Sequence, residues 1–215
     1  MLDDFKKEWY ILLPILGLLI FGLLAYPFLP ESIPTHWNIH GEVDGWSGKT
    51  FGIIFLPLLN LALYFLLLLF PRIDPRRLNY ENFAGVYKLI RILLHLFLGI
   101  IYLVSLLFAM GYPLRVDLIV RILVSLLIII IGKYMSKIRH NYFVGIKTPW
   151  TLASEEVWFR THRFSSPLWI SAGFLGLILS FFKQPWSGYI TFASYLIIAI
   201  VPFAYSYYIF RRLTP

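Results

Sequence analysis

Long apolar runs separated by short polar stretches dominate this chain of 215 residues. Most of the runs reach the roughly 20 residues that a helix needs to cross the hydrocarbon core of a bilayer. The fourth and fifth runs are shorter, so we expect them to extend into flanking turns or to thin the bilayer locally. The pattern predicts an all-α polytopic membrane protein with six transmembrane helices. The predicted spans are Trp9–Leu29, Phe51–Phe70, Leu89–Met110, Leu118–Tyr134, Leu168–Phe182 and Tyr189–Phe210.

Composition supports the membrane class and charge sets the orientation. Hydrophobic residues make up 59% of the chain and charged residues 14%, which is too apolar for a soluble domain of this size. With both termini cytoplasmic, 15 of the 19 Lys and Arg residues fall inside and only Lys49, Arg115, Arg121 and Lys183 fall outside. This is the arrangement that the positive-inside rule selects. The net charge of +8 is therefore an orientation signal, and no direct binding of nucleic acid is predicted.

The chain divides at a polar, proline-containing stretch that follows the second apolar run. Pro71 and Pro75 stop helix propagation there. We predict an N-terminal two-span hairpin module, residues 1–74, whose outer loop covers residues 30–50. A four-span module, residues 75–215, follows and carries a cytoplasmic segment at 135–166. The chain has no cysteine, which excludes disulfides, thiol catalysis and Cys-based metal sites.

The outer loop concentrates polar side chains that are suited to contact a ligand. Three interpretations stay open for it: a turn loop with tryptophans at the interface, a contact for a ligand or peptide, and a metal site built on two histidines four residues apart. Pro34, Gly41 and Gly45 favour turns over a sustained helix. The candidate ligand contacts are His36, Trp37, Asn38, His40 and Asp44.

Few ionisable residues lie within the predicted spans, and such residues are candidates for function. His95 follows Arg91 by one helical turn in the third span. Arg91 lies close enough to the inner boundary to extend its side chain toward the interface. For His95 we expect a hydrogen bond to a tyrosine or to a backbone carbonyl.

Residues 141–164, here called the motif segment, form a polar, basic and aromatic stretch between two apolar runs. Thr148 is a candidate N-cap with Pro149 at the first helical position. A second helix start is predicted at Thr151 or Ser154, followed by Glu156 and Arg160 in the favourable order.

The aromatic residues of the motif segment are too many for a free loop. Trp150, Val157, Trp158 and Phe159 predict a short amphipathic helix at the inner interface, between spans four and five. Its Arg160, His162 and Arg163 would meet lipid phosphates or acidic groups of a partner.

The motif segment closely resembles the hallmark of the SdpI-like family of bacterial integral membrane proteins, which runs Asn-x-x-x-Gly-Ile-Arg/Lys-Thr-Pro-Trp-Thr-Leu and ends in Thr-His-Arg/Lys. The outer loop, with Ile33-Pro34-Thr35-His36-Trp37-Asn38, resembles the uncharacterised two-span domain that often precedes it. The residues that the resemblance assigns to a cytoplasmic surface are Asn141, Gly145, Lys147, Thr148, Pro149, Trp150, Thr151, Ser154, Trp158, Thr161, His162 and Arg163.

The resemblance implies a role in the bacterial plasma membrane like that of the family's namesake. That protein gives immunity to an exported antimicrobial peptide, and it signals by holding a transcriptional repressor at the membrane. The outer side would then meet the peptide toxin, the inner side the repressor, and the spans the membrane lipids. The family supplies no catalytic residue, metal or cofactor, so we expect no enzyme. Two alternatives stay open: a small transporter of an amphipathic peptide or lipid, and an intramembrane metalloenzyme that uses His36 and His40.

Overall fold

Helices form nearly all of the regular structure in the computed structural model, which describes residues 2–38 and 41–213. Two short 3₁₀ turns, Tyr26–Phe28 and Arg77–Phe83, precede β1 and α3 respectively. The helices are α1 Leu2–Ala25, α2 Lys49–Ile73, α3 Ala84–Ala109, α4 Val116–Met135, α5 Pro149–Ala153, α6 Glu155–Leu179 and α7 Pro185–Leu213, and the strands are β1 Ser32–Trp37 and β2 Val43–Gly48.

The prediction of an all-α polytopic membrane protein is confirmed. Within the described residues, four helical stretches are long and apolar enough to cross a membrane: Glu8–Phe28, Lys49–Ile73, Arg77–Ala109 and Pro185–Leu213. Helices α4 and α6 cover the fourth and fifth predicted spans, and the count of six spans stays a prediction. Helix α6, which covers the fifth predicted span, begins at Glu155 instead of Leu168, because Ser154 caps it far upstream of the apolar run.

The chain forms two compact units. Unit 1 comprises Met1–Leu69 and Arg91–Val120, and unit 2 comprises Phe70–Ile90 and Arg121–Pro215. These units differ from the predicted modules 1–74 and 75–215 because most of α3 packs with the first two long helices. The modules stay a prediction about the organisation of the sequence.

Unit 1 is held together by apolar packing among α1, α2 and α3. Its cluster of buried residues includes Ala25, Ile53 and Leu106. The hydroxyl of Tyr102 donates to the carbonyl of Ile53 at 3.0 Å, which satisfies a buried polar group inside this core.

The outer loop folds as an antiparallel β-hairpin of β1 and β2, where the sequence predicted turns only. Asn38 and Glu42 close its tip: the Asn38 N–H donates to the Glu42 carbonyl at 2.9 Å, and the Glu42 N–H donates to Asn38 Oδ1 at 3.1 Å. Gly41 adopts a φ of 81°, a conformation that glycine accepts without strain. These local bonds fix the register of two strands that have little alternating hydrophobicity.

Candidate functional site

Asn141 organises the start of the motif segment from a fully buried position. Its Oδ1 accepts hydrogen bonds from the N–H groups of Phe143 at 2.9 Å and Val144 at 2.7 Å. Its Nδ2 donates to the carbonyls of Arg139 and Val144, both at 2.8 Å. An asparagine side chain that bonds its neighbouring backbone in this way replaces the bonds of a regular element. Asn141 therefore holds the turn together.

Gly145 follows with a φ of 122°, in the region that favours glycine. A Cβ atom at this position would lie 2.6 Å from His162 Nε2 and 2.9 Å from the ring of Trp158. The position needs glycine for two reasons: its backbone conformation, and the close approach of the backbone to two rings.

Three rings stack beneath this turn. The centroids of His140 and Trp158 lie 5.0 Å apart, and those of Trp158 and His162 lie 4.1 Å apart, with interplanar angles of 28° and 23°. The indole Nε1 of Trp158 donates to the carbonyl of Ile138 at 2.9 Å. All three rings are buried, so the stack is the core of this part of unit 2.

His162 joins helix α6 to the turn through both of its ring nitrogens. The backbone N–H of Ile146 donates to Nε2 at 3.0 Å, so Nε2 is an acceptor. Nδ1 then carries the proton and donates to the carbonyl of Trp158 at 2.8 Å. Burial lowers the pKa of His162 to about 4; nearby His140 acts in the same direction, and the bond to the Trp158 carbonyl opposes it. The imidazole is therefore neutral near pH 7.

The two predicted helix starts are both present. Thr148 and Thr151 form a reciprocal capping box at the start of α5, with Pro149 at the first helical position. The hydroxyl of Ser154 accepts a bond from the N–H of Val157 at 3.4 Å and caps α6. Ser154 thus ends α5, where its N–H donates to the carbonyl of Trp150 at 3.2 Å, and begins α6 as its N-cap.

Asp74 is a buried hub of this site that the sequence reasoning missed. One carboxylate oxygen accepts the N–H of Arg76 at 2.7 Å. The other accepts the N–H of Tyr142 at 2.9 Å and the hydroxyl of Tyr80 at 3.1 Å. The local signal was the dipeptide Asp74-Pro75, which is typical of a turn. Its link to Tyr142, 68 residues away, has no local signal.

Arg76 connects the same hub to the ring stack. Its Nη1 donates to His140 Nδ1, and its Nη2 donates to the carbonyl of Leu152 at 3.3 Å. Burial lowers the pKa of His140, and the neighbouring Arg76 guanidinium lowers it further. The amide of Asn79 donates to the carbonyl of His140 at 2.7 Å. The motif segment is thus tied to the stretch before α3 by backbone and side-chain bonds.

The expectation that the whole motif forms a cytoplasmic surface is corrected by burial. Val157, which was expected at the lipid interface, is also buried, and His162 cannot meet lipid phosphates because it lies beneath the turn. The buried residues of the predicted surface are Asn141, Thr148, Thr151, Trp158, Thr161 and His162. The remaining six are exposed or half-buried: Gly145, Lys147, Pro149, Trp150, Ser154 and Arg163.

The exposed part of the motif segment is basic and aromatic. Lys147 Nζ donates to the carbonyl of Phe143 at 3.0 Å, and Arg160 pairs with Glu156 at 2.5 Å on one face of α6. Phe159 keeps 41% of its surface exposed. The half-buried Trp150 packs edge-on against Phe203 of α7 at 5.0 Å, which holds α5 in place.

In the outer loop, the candidate contacts have different environments. His36 Nδ1 pairs with the carboxylate of Asp44, and both side chains remain largely exposed. Trp37 packs edge-on against Phe108 at 5.8 Å, and Asn38 is engaged in closing the hairpin tip. His40 lies outside the described residues. Within residues 2–38 and 41–213, no group of three or more His, Asp or Glu side chains is arranged to hold a metal ion.

The two intramembrane candidates both have partners in unit 1. Nη2 of the buried Arg91 lies 2.6 Å from the carboxylate of the half-buried Glu8, with which it forms an ion pair. His95 Nδ1 lies 2.6 Å from Asn60 Oδ1, and the Asn60 amide donates to the His95 carbonyl at 3.3 Å. The hydrogen-bond partner of His95 is thus an asparagine of α2 in place of the expected tyrosine or backbone carbonyl, and the ring of Tyr64 packs against His95 with centroids 5.8 Å apart.

Comparison with known proteins agrees with the resemblance noted from the residues. The model of the SdpI/YfhL protein family matches residues 137–206, and that of the domain of unknown function DUF1648 matches residues 12–61. The chain is 29% identical over 192 residues to the Immunity protein SdpI of Bacillus subtilis (strain 168), which covers 89% of this chain and 90% of that protein. No solved structure matches the chain. Residues 137–206 of this multi-pass membrane protein are therefore similar to the SdpI/YfhL protein family, and residues 12–61, which precede them, are similar to DUF1648.

Proposed function

We propose that this chain is a non-enzymatic immunity protein of the bacterial plasma membrane, which protects the cell from an exported antimicrobial peptide. The observation that carries the proposal is the similarity to an immunity protein over 90% of that protein's length. Because the similarity covers both the outer loop and the motif segment, it is not confined to one apolar stretch.

On the outer side, the β-hairpin supplies the surface that would meet the peptide. His36 and Asp44 are exposed on facing strands, and the indole of Trp46 is 59% exposed beside them. An aromatic ring next to a paired charge suits an amphipathic peptide, because both kinds of contact are available at one place. We assign peptide contact to these three residues.

On the inner side, the motif segment would hold a cytoplasmic transcriptional repressor. Its buried stack and capping bonds give a rigid base, and Lys147, Phe159 and Arg163 lie exposed upon it. Coupling between the two sides requires two states with different affinities for each ligand. In this proposal the buried residues of the motif segment form the scaffold, and its exposed residues form the surface that binds the partner.

Immunity is tested by expressing the chain in a Bacillus subtilis strain that lacks its own SdpI, and by measuring survival against a panel of membrane-active antimicrobial peptides. We expect increased survival for at least one peptide, and reduced protection when His36 and Asp44 are both replaced by alanine. Equal killing with and without the chain for every peptide would refute the proposal.

The inner surface is tested separately by reversing charge. The double variant Lys147→Glu, Arg163→Glu should lose membrane retention of a fluorescent fusion to the helix-turn-helix regulator encoded nearest to this gene. Lys183→Glu is the matched control, since Lys183 is exposed and predicted to lie on the outer side. Retention that is the same in all three proteins would remove the signalling role and leave immunity standing.

A further inference from the structure

A cavity of about 510 Å³ lies within unit 1, lined by α1 and α3 together with Asn60 of α2. This volume is typical of small-molecule sites, which measure roughly 300–1,000 Å³. Gly17 lines it from α1, and a Cβ atom added there would meet nothing within 4 Å. The space is therefore open where a side chain would otherwise fill it.

The wall of this cavity carries a buried polar atom that lacks a partner among the described residues. His95 is only 5% exposed, and its Nε2 has no hydrogen bond there. The amide of Asn60 donates to the His95 carbonyl, so Asn60 Oδ1 faces His95 Nδ1 and accepts its proton. In a neutral imidazole the other nitrogen, Nε2, is then an acceptor. A ligand that satisfies it must bring a hydrogen-bond donor.

The rest of the lining determines the class of that ligand. Of the described residues around the cavity, only Tyr10, Asn60 and His95 have polar side chains. The α1 and α3 walls belong to candidate membrane spans, so the surroundings are hydrocarbon. A peptide would bring many backbone groups that need partners in such a place. A hydrocarbon chain with a single hydroxyl needs only one hydrogen-bond partner.

We propose that this cavity binds a membrane lipid with a hydrocarbon chain and one free hydroxyl, which hydrogen-bonds at the Asn60–His95 pair. The ligand enters from the bilayer, and its chain lies along Pro14, Gly17 and Gly99. This site is distinct from the outer hairpin and from the motif segment, so it stands or falls independently of the proposed immunity function.

The test uses the full chain in lipid nanodiscs and a photoreactive diazirine analogue of hexadecanol, with labelled residues mapped by mass spectrometry. Unlabelled hexadecanol and its methyl ether compete for the site. In the ether a methyl group replaces the donor proton, so we expect the alcohol to compete about tenfold better, which corresponds to one hydrogen bond.

Matched variants locate the site. Gly17→Leu should abolish labelling of α1 and α3 because leucine fills the open space. Gly85→Leu should not, since Gly85 also has nothing within 4 Å of an added Cβ but does not line the cavity. Equal competition by alcohol and ether would overturn the proposal. So would labelling that Gly17→Leu leaves unchanged, or displacement by an amphipathic peptide but not by the alcohol.

Discussion

Replacement of Gly145 by alanine tests whether the turn of the motif segment is held against the rings beneath it. The added methyl group would lie 2.6 Å from His162 Nε2, which is closer than packed atoms allow. It would push the turn away and break the bond from the Ile146 N–H to that nitrogen. The φ of 122° adds strain for any residue with a Cβ atom.

The size of the effect follows from these three causes. Overpacking of a core costs roughly 1–3 kcal/mol. A backbone strained at positive φ costs on the order of 1 kcal/mol. A buried hydrogen-bonding group left without its partner costs roughly 1–3 kcal/mol. Because all three act on the same atoms, they do not add fully, and we expect a loss of about 3–4 kcal/mol in the free energy of unfolding.

The assay is unfolding of the purified protein in mixed micelles with increasing dodecyl sulfate, followed by tryptophan fluorescence. Gly85→Ala is the control, because Gly85 lies exposed in α3 with open space around it. We expect that control to change stability by less than about 1 kcal/mol, in the stabilising direction, since alanine favours a helix. If Gly145→Ala unfolds at the same midpoint as Gly85→Ala, the reasoning about the ring stack is refuted.

The other buried polar groups of unit 2 give two further measurable changes. Asp74→Asn should lower the free energy of unfolding by about 2 kcal/mol, because the amide that replaces the carboxylate can place its NH₂ group opposite a hydrogen-bond donor. Asp44→Asn is the control, and it should change the free energy of unfolding by under about 1 kcal/mol because its ion pair is exposed. Equal effects of the two substitutions would contradict the buried role of Asp74. The imidazole of a histidine in the unfolded chain takes up a proton near pH 6.5, whereas the imidazole of His162 in the folded protein does so only near pH 4. The contribution of His162 to stability should therefore be full above about pH 6.5 and be lost as the pH drops toward 4, at up to about 1.4 kcal/mol per pH unit. His140, whose pKa is also lowered, adds to the slope in the same direction. His162→Gln should reduce the slope, and an unchanged slope would contradict the assignment.

Much of the fold could be predicted from local patterns in the sequence. The apolar runs predicted where the long helices lie, because a backbone that crosses a bilayer must satisfy its own N–H and C=O groups within a helix. The caps at Thr148 and Ser154 could also be predicted, because a capping side chain bonds a backbone group within three residues. The β-hairpin was not predicted, because its strands show little alternation of apolar and polar residues. The hydrogen bonds between Asn38 and Glu42 that close the hairpin produce no pattern in the sequence that indicates a strand.

The candidate site was less predictable because its contacts are distant in sequence. His162 and Trp158 lie among exposed arginines, so their types and neighbours suggested a surface, but the turn at Gly145 covers them. Asp74 acts through a partner 68 residues away, and nothing near it signals that partner. Half of the twelve motif positions are therefore buried and serve folding, and the other half are exposed or half-buried.

The most direct test of the account measures the lowest peptide concentration that kills a sensitive Bacillus subtilis strain expressing the chain, Gly145→Ala or Gly85→Ala, with equal membrane levels confirmed by quantitative immunoblot. The account predicts that the parent chain and Gly85→Ala raise this concentration for at least one membrane-active peptide, and that Gly145→Ala does not. A parent chain that gives no protection against any peptide, or a Gly145→Ala variant that protects as well as the parent, would contradict it.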